Sequence, residues 1–278
     1  MPELPEVETV VRDLRPLLCG QHLLAVRTSR HKLRQPWKRS WEAALLGKRV
    51  ETIRRRGKWI IIDLEPSSHL LVHLGMTGRF TVVESQAPKV AHTHVIFRLN
   101  EGEHELRFAD IRRFGSVRYC ATSDELDQLL GGKLGPEPWE MDPADWYQRL
   151  RSSRRCLKAI LLDQTVIAGV GNIYADESLF VARLSPKQLA ARTTRKQAER
   201  LLAAIVQVLE HAIGSRGSSI RNYVGGNGEQ GQYQNEFLAY GRTGEPCQNC
   251  GRAIACIRLA GRATHFCPRC QKIRGHKS

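Results

Sequence analysis

The chain has 278 residues, of which 41% are hydrophobic and 26% charged, values that are ordinary for a globular protein with a sizeable core. Its 43 Lys and Arg outnumber 28 Asp and Glu, and the formal net charge of +15 favours a nucleic-acid partner over a merely solvated surface. No stretch approaches the roughly 18 apolar residues of a membrane span, and the acidic start MPELPEVE is unlike a secretory signal. We therefore expect a cytoplasmic protein without a membrane partner.

The first predicted element is an amphipathic helix over residues 5–18. Apolar side chains recur at helical spacing from Val7 to Leu18. Pro5 suits a first helical turn, and Gly20 marks the end of the helix.

From about residue 23 to residue 120 the pattern changes to short β-rich runs separated by turns. Runs at this spacing predict an antiparallel sandwich or barrel. The predicted strands are 23–27, 50–56, 59–64, 69–74, 79–83, 94–99, 106–110 and 116–120. Thr122 and Glu125 then form a capping box that predicts a short helix.

A cluster of breaker residues follows and predicts a hinge between domains. The cluster consists of Gly131, Gly132, Gly135, Pro136 and Pro138. Beyond it the pattern becomes helical, and Asp142-Pro143 and Ser185-Pro186 are each typical of a helix start. A capping box at 194–197 predicts a longer helix, followed by a Gly- and Asn-rich loop over 214–235.

Two CxxC pairs close the chain, with sixteen residues between them. Each pair can place two thiolates on one tight turn, and two such turns complete a tetrahedral shell for a structural zinc ion. The predicted ligands are Cys247, Cys250, Cys267 and Cys270. A redox dithiol pair is the alternative, and His265 is a competing ligand.

The N-terminal residues offer a distinctive chemistry if Met1 is removed. Pro2 would then present a secondary amine, and an α-amino group titrates near pH 8, well below lysine. Attack of this amine on a sugar aldehyde carbon gives an iminium ion, which drives elimination. Glu3 lies beside it for proton transfer, although its charge also raises the pKa of the amine.

The start MPELPEVETV resembles that of the formamidopyrimidine-DNA glycosylases, bacterial enzymes of 8-oxoguanine repair. Matching motifs continue along essentially the whole chain. They are RRGKWI at 55–60, HLGMTG at 73–78, RRFG at 112–115, LGPEP at 134–138, GVGNIYADE at 169–177, YGRTGEPC at 240–247 and GRATHFCPRCQ at 261–271.

The resemblance implies a multi-domain α+β fold. An N-terminal antiparallel β-sandwich with flanking helices would occupy residues 1–130, and a hinge residues 131–141. A helical domain with a helix–two-turn–helix and a lesion-recognition loop would occupy 142–235, and a four-cysteine zinc ribbon 236–278.

The same resemblance assigns the catalytic residues. Pro2 is implied as the nucleophile on C1′ of the damaged nucleotide, and Glu3 as the donor of a proton to the sugar or the base. Lys58 is implied as the acid in β-elimination, and Arg262 is implied to assist δ-elimination. The alternative for Lys58 is a solvated charge at a strand start.

The DNA contacts implied by the resemblance lie in three motifs and several single residues. Met76, Arg112 and Phe114 would fill the stack where the damaged base leaves, although Met76 and Phe114 are also ordinary core residues. In GVGN, Asn172 would cap the following helix, whose amides face a phosphate. Backbone contacts are implied for His73, His92 and Arg154.

The implied lesion pocket combines the first helix with the loop near residue 220. Its residues are Glu6, Ser219, Ile220, Arg221, Asn222 and Tyr223. Two positions depart from the family pattern. Ile111 stands where a proline is expected before RRFG, and Gly225-Gly226 makes the lesion loop pliant.

These observations predict a monomeric, nucleoid-associated enzyme that acts on damaged double-stranded DNA. It would excise oxidised purines as a bifunctional DNA glycosylase and AP lyase and hold one structural zinc ion. Two alternatives stay open: an endonuclease VIII-type relative directed at oxidised pyrimidines, and a catalytically silent zinc-ribbon DNA-binding protein.

Overall fold

A computed structural model describes residues 1–31, 33–219, 225–226 and 228–273. By its internal contacts the chain divides into two compact units. Unit 1 combines Met1–Gly131 with Ile213–Gln234, and unit 2 combines Gly132–Ala212 with Asn235–Ser278. The segment from residue 213 to residue 234 thus groups with the N-terminal strands. The bounds of the three domains and the hinge expected from the sequence remain a prediction.

Unit 1 begins with helix α1 (Leu4–Leu18), as the apolar spacing predicts. Its remaining named elements are β1 (Leu23–Thr28), α2 (Ser40–Leu45), β2 (Val50–Arg56), β3 (Trp59–Leu64), β4 (Ser68–His73), β5 (Gly78–Glu84), β6 (Thr93–Leu99), β7 (His104–Asp110), β8 (Ser116–Cys120) and α3 (Ser123–Leu130). All eight predicted strands are confirmed, with ends shifted by two residues at most. The short helix α2 was not predicted, and it has no side-chain cap that could mark its start.

The strands of unit 1 form two antiparallel four-stranded sheets in the described part of the chain, ordered β1-β6-β7-β5 and β2-β3-β4-β8. Both sheets contribute to one hydrophobic core, with Phe80 and Phe108 from the first and Ile60 and Val72 from the second. Val10 and its apolar neighbours bring one face of α1 into the same core. The predicted β-sandwich with a flanking helix is therefore confirmed.

Unit 2 is helical and ends in a β-hairpin. Its elements are α4 (Pro143–Arg151), α5 (Leu157–Leu161), α6 (Asn172–Val181), α7 (Arg195–Gly214), β9 (Ala255–Leu259) and β10 (Arg262–Phe266). The predicted caps are confirmed at two helices. Asp142 accepts hydrogen bonds from the backbone N–H groups of Ala144 and Asp145, and Thr194 and Gln197 cap the start of α7 reciprocally.

The helix start predicted at Ser185-Pro186 is wrong. The Ser185 carbonyl accepts a hydrogen bond from the Gln188 N–H group, which closes a single turn. The Leu157 N–H group in turn donates to the Gln188 carbonyl. The chain is therefore held in an irregular path, and a serine-proline pair starts a turn as readily as a helix.

Among the residues that the structure describes, no helix is both long and apolar enough to cross a membrane.

Candidate active site and metal centre

The N-terminal end of α1 is organised by two buried glutamates. Glu3 is the N-cap residue, and its side chain accepts from the backbone at Glu6. The Glu6 carboxylate returns the bond, accepting from the Glu3 N–H group at 2.7 Å. Because Glu3 is 2% exposed and Pro2 beside it is also buried, the predicted nucleophile and proton donor share one ordered, water-poor site.

Glu6 also holds the segment that leads into the predicted lesion loop. Its Oε1 atom accepts from the Ser218 N–H group at 2.7 Å and from the Ser218 hydroxyl at 3.1 Å. A Cβ atom on Gly217, which has φ +73°, would lie 2.9 Å from Oε1. Glu6 therefore does more than balance the helix dipole, because it ties the head of α1 to the start of that loop.

Lys58 lies in the tight turn between β2 and β3, next to Gly57 with φ +57°. The lysine is only 7% exposed, so the alternative of a solvated surface charge is wrong. In the β3–β4 ladder Trp59 pairs with His73, and their rings meet edge to face at 4.6 Å. The turn thus brings Lys58 and His73 into one neighbourhood.

His73 is held neutral. Burial, followed by the charges of Lys58 and Arg34, lowers the pKa of His73 to about 4. Its Nδ1 atom accepts from the Gly75 N–H group at 3.0 Å, so the ring proton resides on Nε2. A neutral imidazole with a fixed Nε2–H can donate to a phosphate oxygen without carrying charge itself.

Two loops carry the predicted wedge residues, and one buried carboxylate joins them. Asp110 is fully buried and accepts from the Thr77 hydroxyl at 2.5 Å, from the Gly115 N–H group at 2.7 Å and from the Arg112 N–H group at 3.2 Å. A Cβ atom on Gly75 would lie 2.4 Å from the Gly115 nitrogen, so only glycine permits this approach. The loop therefore has its own restraints despite the missing proline.

Two of the three predicted wedge side chains, Arg112 and Phe114, are exposed rather than buried in the core. Phe114 is 46% exposed, and the Arg112 guanidinium lies 4.6 Å from the centre of its ring. Met76 is half-buried. An exposed phenylalanine stacked under an arginine is typical of a contact surface, and the core interpretation is wrong for Phe114.

The four predicted zinc ligands converge. Their Sγ atoms all lie within 4.8 Å of one another, with Cys247 and Cys270 at 3.9 Å and Cys250 and Cys267 at 3.5 Å. A tetrahedral zinc site with Zn–S bonds of about 2.3 Å places its sulfur atoms about 3.8 Å apart. The donor set therefore fits one zinc ion with no open coordination position, which makes the metal structural.

The electrostatics of the cluster also favour a cation. A backbone hydrogen bond from Arg252 lowers the pKa of Cys250 to about 7, whereas burial and the neighbouring sulfurs raise the pKa of Cys270 to about 12. Four thiolates this close repel one another unless a cation sits between them. All eight cysteines lie in the described residues, and none forms a disulfide.

Within unit 2, α6 holds the β-hairpin of the zinc module through Asp176. One carboxylate oxygen accepts from the Lys158 ammonium at 2.6 Å, and both side chains are fully buried. The other oxygen accepts from the backbone N–H group of His265 at 2.9 Å and lies 3.0 Å from its ring Nδ1. His265 is thus engaged by Asp176 and stands outside the sulfur cluster.

The neighbouring Glu177 fixes the chain that enters the zinc module. Its two oxygens accept from the N–H groups of Leu238, Ala239 and Tyr240 at 2.7–2.9 Å. Burial raises the pKa of this carboxyl despite those three bonds. Because Asp176 and Glu177 are adjacent, one turn of α6 supports the zinc module at two places.

Comparisons with known proteins agree with this geometry. The model of the formamidopyrimidine-DNA glycosylase N-terminal domain matches residues 1–117. The H2TH domain of the same glycosylase matches residues 134–224, and the zinc finger found in FPG and IleRS matches residues 244–273. The chain belongs to the formamidopyrimidine-DNA glycosylase family.

Relatives of this family match over the full length. The formamidopyrimidine-DNA glycosylase of Desulfitobacterium hafniense (strain DSM 10664 / DCB-2) is 43% identical, covering 98% of this chain and all of the relative. The Lactococcus lactis enzyme, solved with DNA containing N7-benzyl-Fapy-dG, superposes with a TM-score of 0.90 at 36% identity. A MutM complex with DNA containing carbocyclic 8-oxo-G has a TM-score of 0.90 at 37% identity, and each of these structures covers 98% of this chain.

Members of the formamidopyrimidine-DNA glycosylase family are DNA glycosylases with AP lyase activity. The site residues that the family resemblance predicts lie in both units. Arg262 is exposed at the start of β10, Arg154 is exposed between α4 and α5, and His92 is exposed with φ +62° before β6. The prediction that Asn172 caps α6 is wrong. Gly171 is the N-cap, and the Asn172 side chain donates to the Ala263 carbonyl at 3.0 Å.

The structure describes only part of the predicted lesion pocket. Ser219 accepts from the Gly231 N–H group at 2.9 Å, and its own N–H donates to Gln234 at 2.8 Å. Ile220, Arg221, Asn222 and Tyr223 lie outside the described residues.

Several supporting residues escaped the sequence analysis. Asp110 is the last residue of β7, just before the wedge loop, and this position was its only signal. Lys158, Asp176 and Glu177 are charged residues among apolar neighbours. Charges inside a segment with no polar face are the pattern that could have identified buried partners.

Proposed function

We propose that this glycosylase excises oxidised purines, 8-oxoguanine and formamidopyrimidines, from double-stranded DNA and then cleaves the strand by β,δ-elimination. The observation that carries the proposal is the ordered, buried start of α1, where Pro2 and Glu3 adjoin each other and Glu6 fixes the backbone of Glu3. The damaged-DNA complexes of the Lactococcus lactis relative support the same substrate class.

Pro2 is the nucleophile once Met1 has been removed. Its nitrogen bonds to C1′ as the bond from C1′ to the damaged base breaks, and the base leaves with a proton. Glu3 donates a proton to the sugar or the base, since it is the buried acid adjacent to the amine. The C1′–O4′ bond then breaks as the nitrogen lone pair forms the C1′=N bond, and O4′ takes up a proton. The resulting iminium ion accepts the electrons that the two eliminations release.

Lys58 and Arg262 serve the elimination steps. In β-elimination the C3′–O bond breaks after loss of a C2′ proton, and the Lys58 ammonium assists the leaving phosphate. In δ-elimination the C5′–O bond breaks, and Arg262 supports this second phosphate. The burial of Lys58 favours this role, because a cation in a water-poor site acts more strongly on a phosphate than a solvated one.

DNA is opened and held by the predicted contact residues. Met76, Arg112 and Phe114 replace the extruded base in the stack, with Arg112 facing the orphaned cytosine. The backbone is contacted by His73, His92, Arg154 and Asn172. The lesion pocket uses Glu6 and Ser219 together with Ile220, Arg221, Asn222 and Tyr223.

The proposed organisation follows the predicted boundaries: a catalytic domain at 1–130, a hinge at 131–141, a helix–two-turn–helix domain at 142–235 and a zinc ribbon at 236–278. We also propose that the enzyme is a monomer, located in the cytoplasm on nucleoid DNA. The net charge of +15 supports residence on DNA.

Borohydride reduction during the reaction tests the nucleophile. The chain is incubated with a duplex containing 8-oxoguanine opposite cytosine, reduced, digested and mapped by mass spectrometry. We expect a covalent adduct on Pro2, after the same spectra show that Met1 is absent. An adduct on an internal lysine would contradict the assignment.

Two further duplexes provide the controls. An undamaged duplex should give no adduct. A duplex with an oxidised pyrimidine should react more slowly than the 8-oxoguanine duplex, and the reverse order would favour the endonuclease VIII-type alternative.

A further inference from the structure

Unit 2 contains a basic pocket of about 860 Å³ that none of the proposed catalytic or DNA-contacting residues lines. Five of its cations come from the segment after α6 and from the start of α7: Arg183, Lys187, Arg192, Lys196 and Arg200. Arg269 and Lys272, in and just after the second zinc knuckle, line the pocket as well. We call this feature the α6–α7 pocket.

The α6–α7 pocket lacks counter-charges. Among the residues described as its lining there is no aspartate or glutamate. Within the described part of the chain, none of the seven cations of the pocket forms an ion pair with a carboxylate. Clustered like charges repel one another, and a bound anion relieves that repulsion. This imbalance exceeds the general excess of 43 Lys and Arg over 28 Asp and Glu.

The backbone at the pocket edge gives a second, independent observation. Arg183 has φ +52°, the left-handed region that disfavours side chains. It follows the end of α6, where its N–H donates to the Phe180 carbonyl and the Leu184 N–H donates to the Leu179 carbonyl, both at 3.0 Å. This is a Schellman turn, in which the left-handed position is usually glycine. The turn therefore places one of the pocket's cations at its edge, at a position where glycine would be less strained.

The pocket also has an apolar wall. Leu189 and Ile273 line it and are 41% and 50% exposed. A volume of about 860 Å³ lies in the range of small-molecule sites. We propose that the α6–α7 pocket binds the polyphosphate chain of a nucleoside di- or triphosphate, with the cations on the phosphates and the apolar side chains beside the nucleoside.

Titration calorimetry on the zinc-loaded full chain tests this site. ATP and inorganic tripolyphosphate are titrated separately at an ionic strength of about 0.15 M, where surface charges are screened beyond about 8 Å. Both should bind once per chain. Tighter binding of ATP identifies a nucleotide as the ligand, and equal binding identifies the free polyphosphate chain.

Charge reversal locates the binding. Lys187→Glu combined with Lys196→Glu should weaken binding by about tenfold or more, because each removes a charge-assisted contact. Lys89→Glu combined with Lys133→Glu changes the net charge equally at exposed positions outside the pocket and should leave affinity within about twofold. An equal loss in both double variants, or displacement of ATP by an excess of lesion-free duplex, would overturn the proposal.

Arg183→Gly separates strain from binding. The variant should melt at a higher temperature, because glycine adopts the left-handed conformation without a clash. It should also bind ATP several times more weakly, because one cation is gone. A variant that binds ATP as tightly as the wild type would overturn the assignment, and Arg183→Lys, which keeps the charge, should retain most of the affinity.

Discussion

Helices α1 and α6 both hold neighbouring segments through buried carboxylates, but the segments that they hold serve different sites. On α6, Asp176 forms an ion pair with the fully buried Lys158, and Glu177 accepts hydrogen bonds from three backbone N–H groups. On α1, Glu6 accepts from the Glu3 and Ser218 N–H groups and from the Ser218 hydroxyl.

This difference distinguishes a support from a reaction site. A carboxylate that pairs with a buried cation is difficult to change without destabilising the protein, and it contributes rigidity. Glu6 instead joins the head of α1 to the segment that leads into the predicted lesion loop. The α6 arrangement therefore supports the zinc module, and the α1 arrangement orders the site of the proposed nucleophile.

The largest effect is expected from the zinc module. Cys267→Ser replaces a fully buried ligand, and the metal contributes about 10–16 kcal/mol to zinc-finger peptides. We expect loss of zinc, measured by elemental analysis, and a fall in lesion-strand cleavage of roughly 100-fold or more. The matched control is Cys256→Ser, an exposed cysteine outside the cluster, which should keep both zinc and activity. Full cleavage by metal-free protein would contradict a structural role for the ion.

The buried ion pair on α6 should give the next largest effect. Lys158→Met leaves the Asp176 charge unpaired and should cost about 3–5 kcal/mol in the free energy of unfolding. Adding Asp176→Asn should recover part of that loss. Arg54→Met, which removes a partly exposed pair with Asp63 in unit 1, should cost under about 1 kcal/mol. Urea unfolding measures the free energy of unfolding of all three variants. Equal losses for Lys158→Met and Arg54→Met would contradict the claim that the buried pair on α6 matters more than a partly exposed one.

The sequence was sufficient for the elements whose local signals agree with their packing. Short β-rich runs separated by turns predicted the strands of both sheets, and the four cysteines predicted the metal shell. The sequence was insufficient where two hydrogen-bonding partners are distant in the chain. Asp176 bonds to the backbone of His265, 89 residues later, and no local pattern contains that pairing. Ser185-Pro186 failed for the same reason, because the hydrogen bond from Leu157 decides the path of the following residues.

A pH titration examines the unit 1 site. Above pH 6.5, the ordinary pKa of histidine, His73 is neutral in both the folded and the unfolded chain. As the pH falls from 6.5 to about 4 the unfolded chain gains a proton that the folded chain does not, so stability is lost in that window. The full shift corresponds to about 3 kcal/mol. His73→Gln should lose correspondingly less stability between pH 6.5 and 4, as measured by urea unfolding, and an identical pH profile would contradict a buried neutral imidazole.

The smallest effect is expected at Asp110, the carboxylate that joins the two wedge loops. This prediction tests whether unit 1 also contains a carboxylate that only supports the structure. In Asp110→Asn one of the two oxygens becomes an NH₂ group, which faces an N–H or hydroxyl donor and cannot accept from it. We expect a cost of about 1–3 kcal/mol in the free energy of unfolding. Asp127→Asn, at an exposed site on α3, should change stability by less than about 0.5 kcal/mol.

Cleavage of the lesion strand then separates support from catalysis at Asp110. If this residue only positions Arg112 and Phe114, the variant should cleave an 8-oxoguanine duplex more slowly, because the wedge no longer holds the base out of the stack. It should still cleave a preformed abasic site in single-stranded DNA at nearly the wild-type rate, since that substrate needs no extrusion. Equal slowing on both substrates would place Asp110 with the α1 carboxylates, among the groups that act on the chemistry itself.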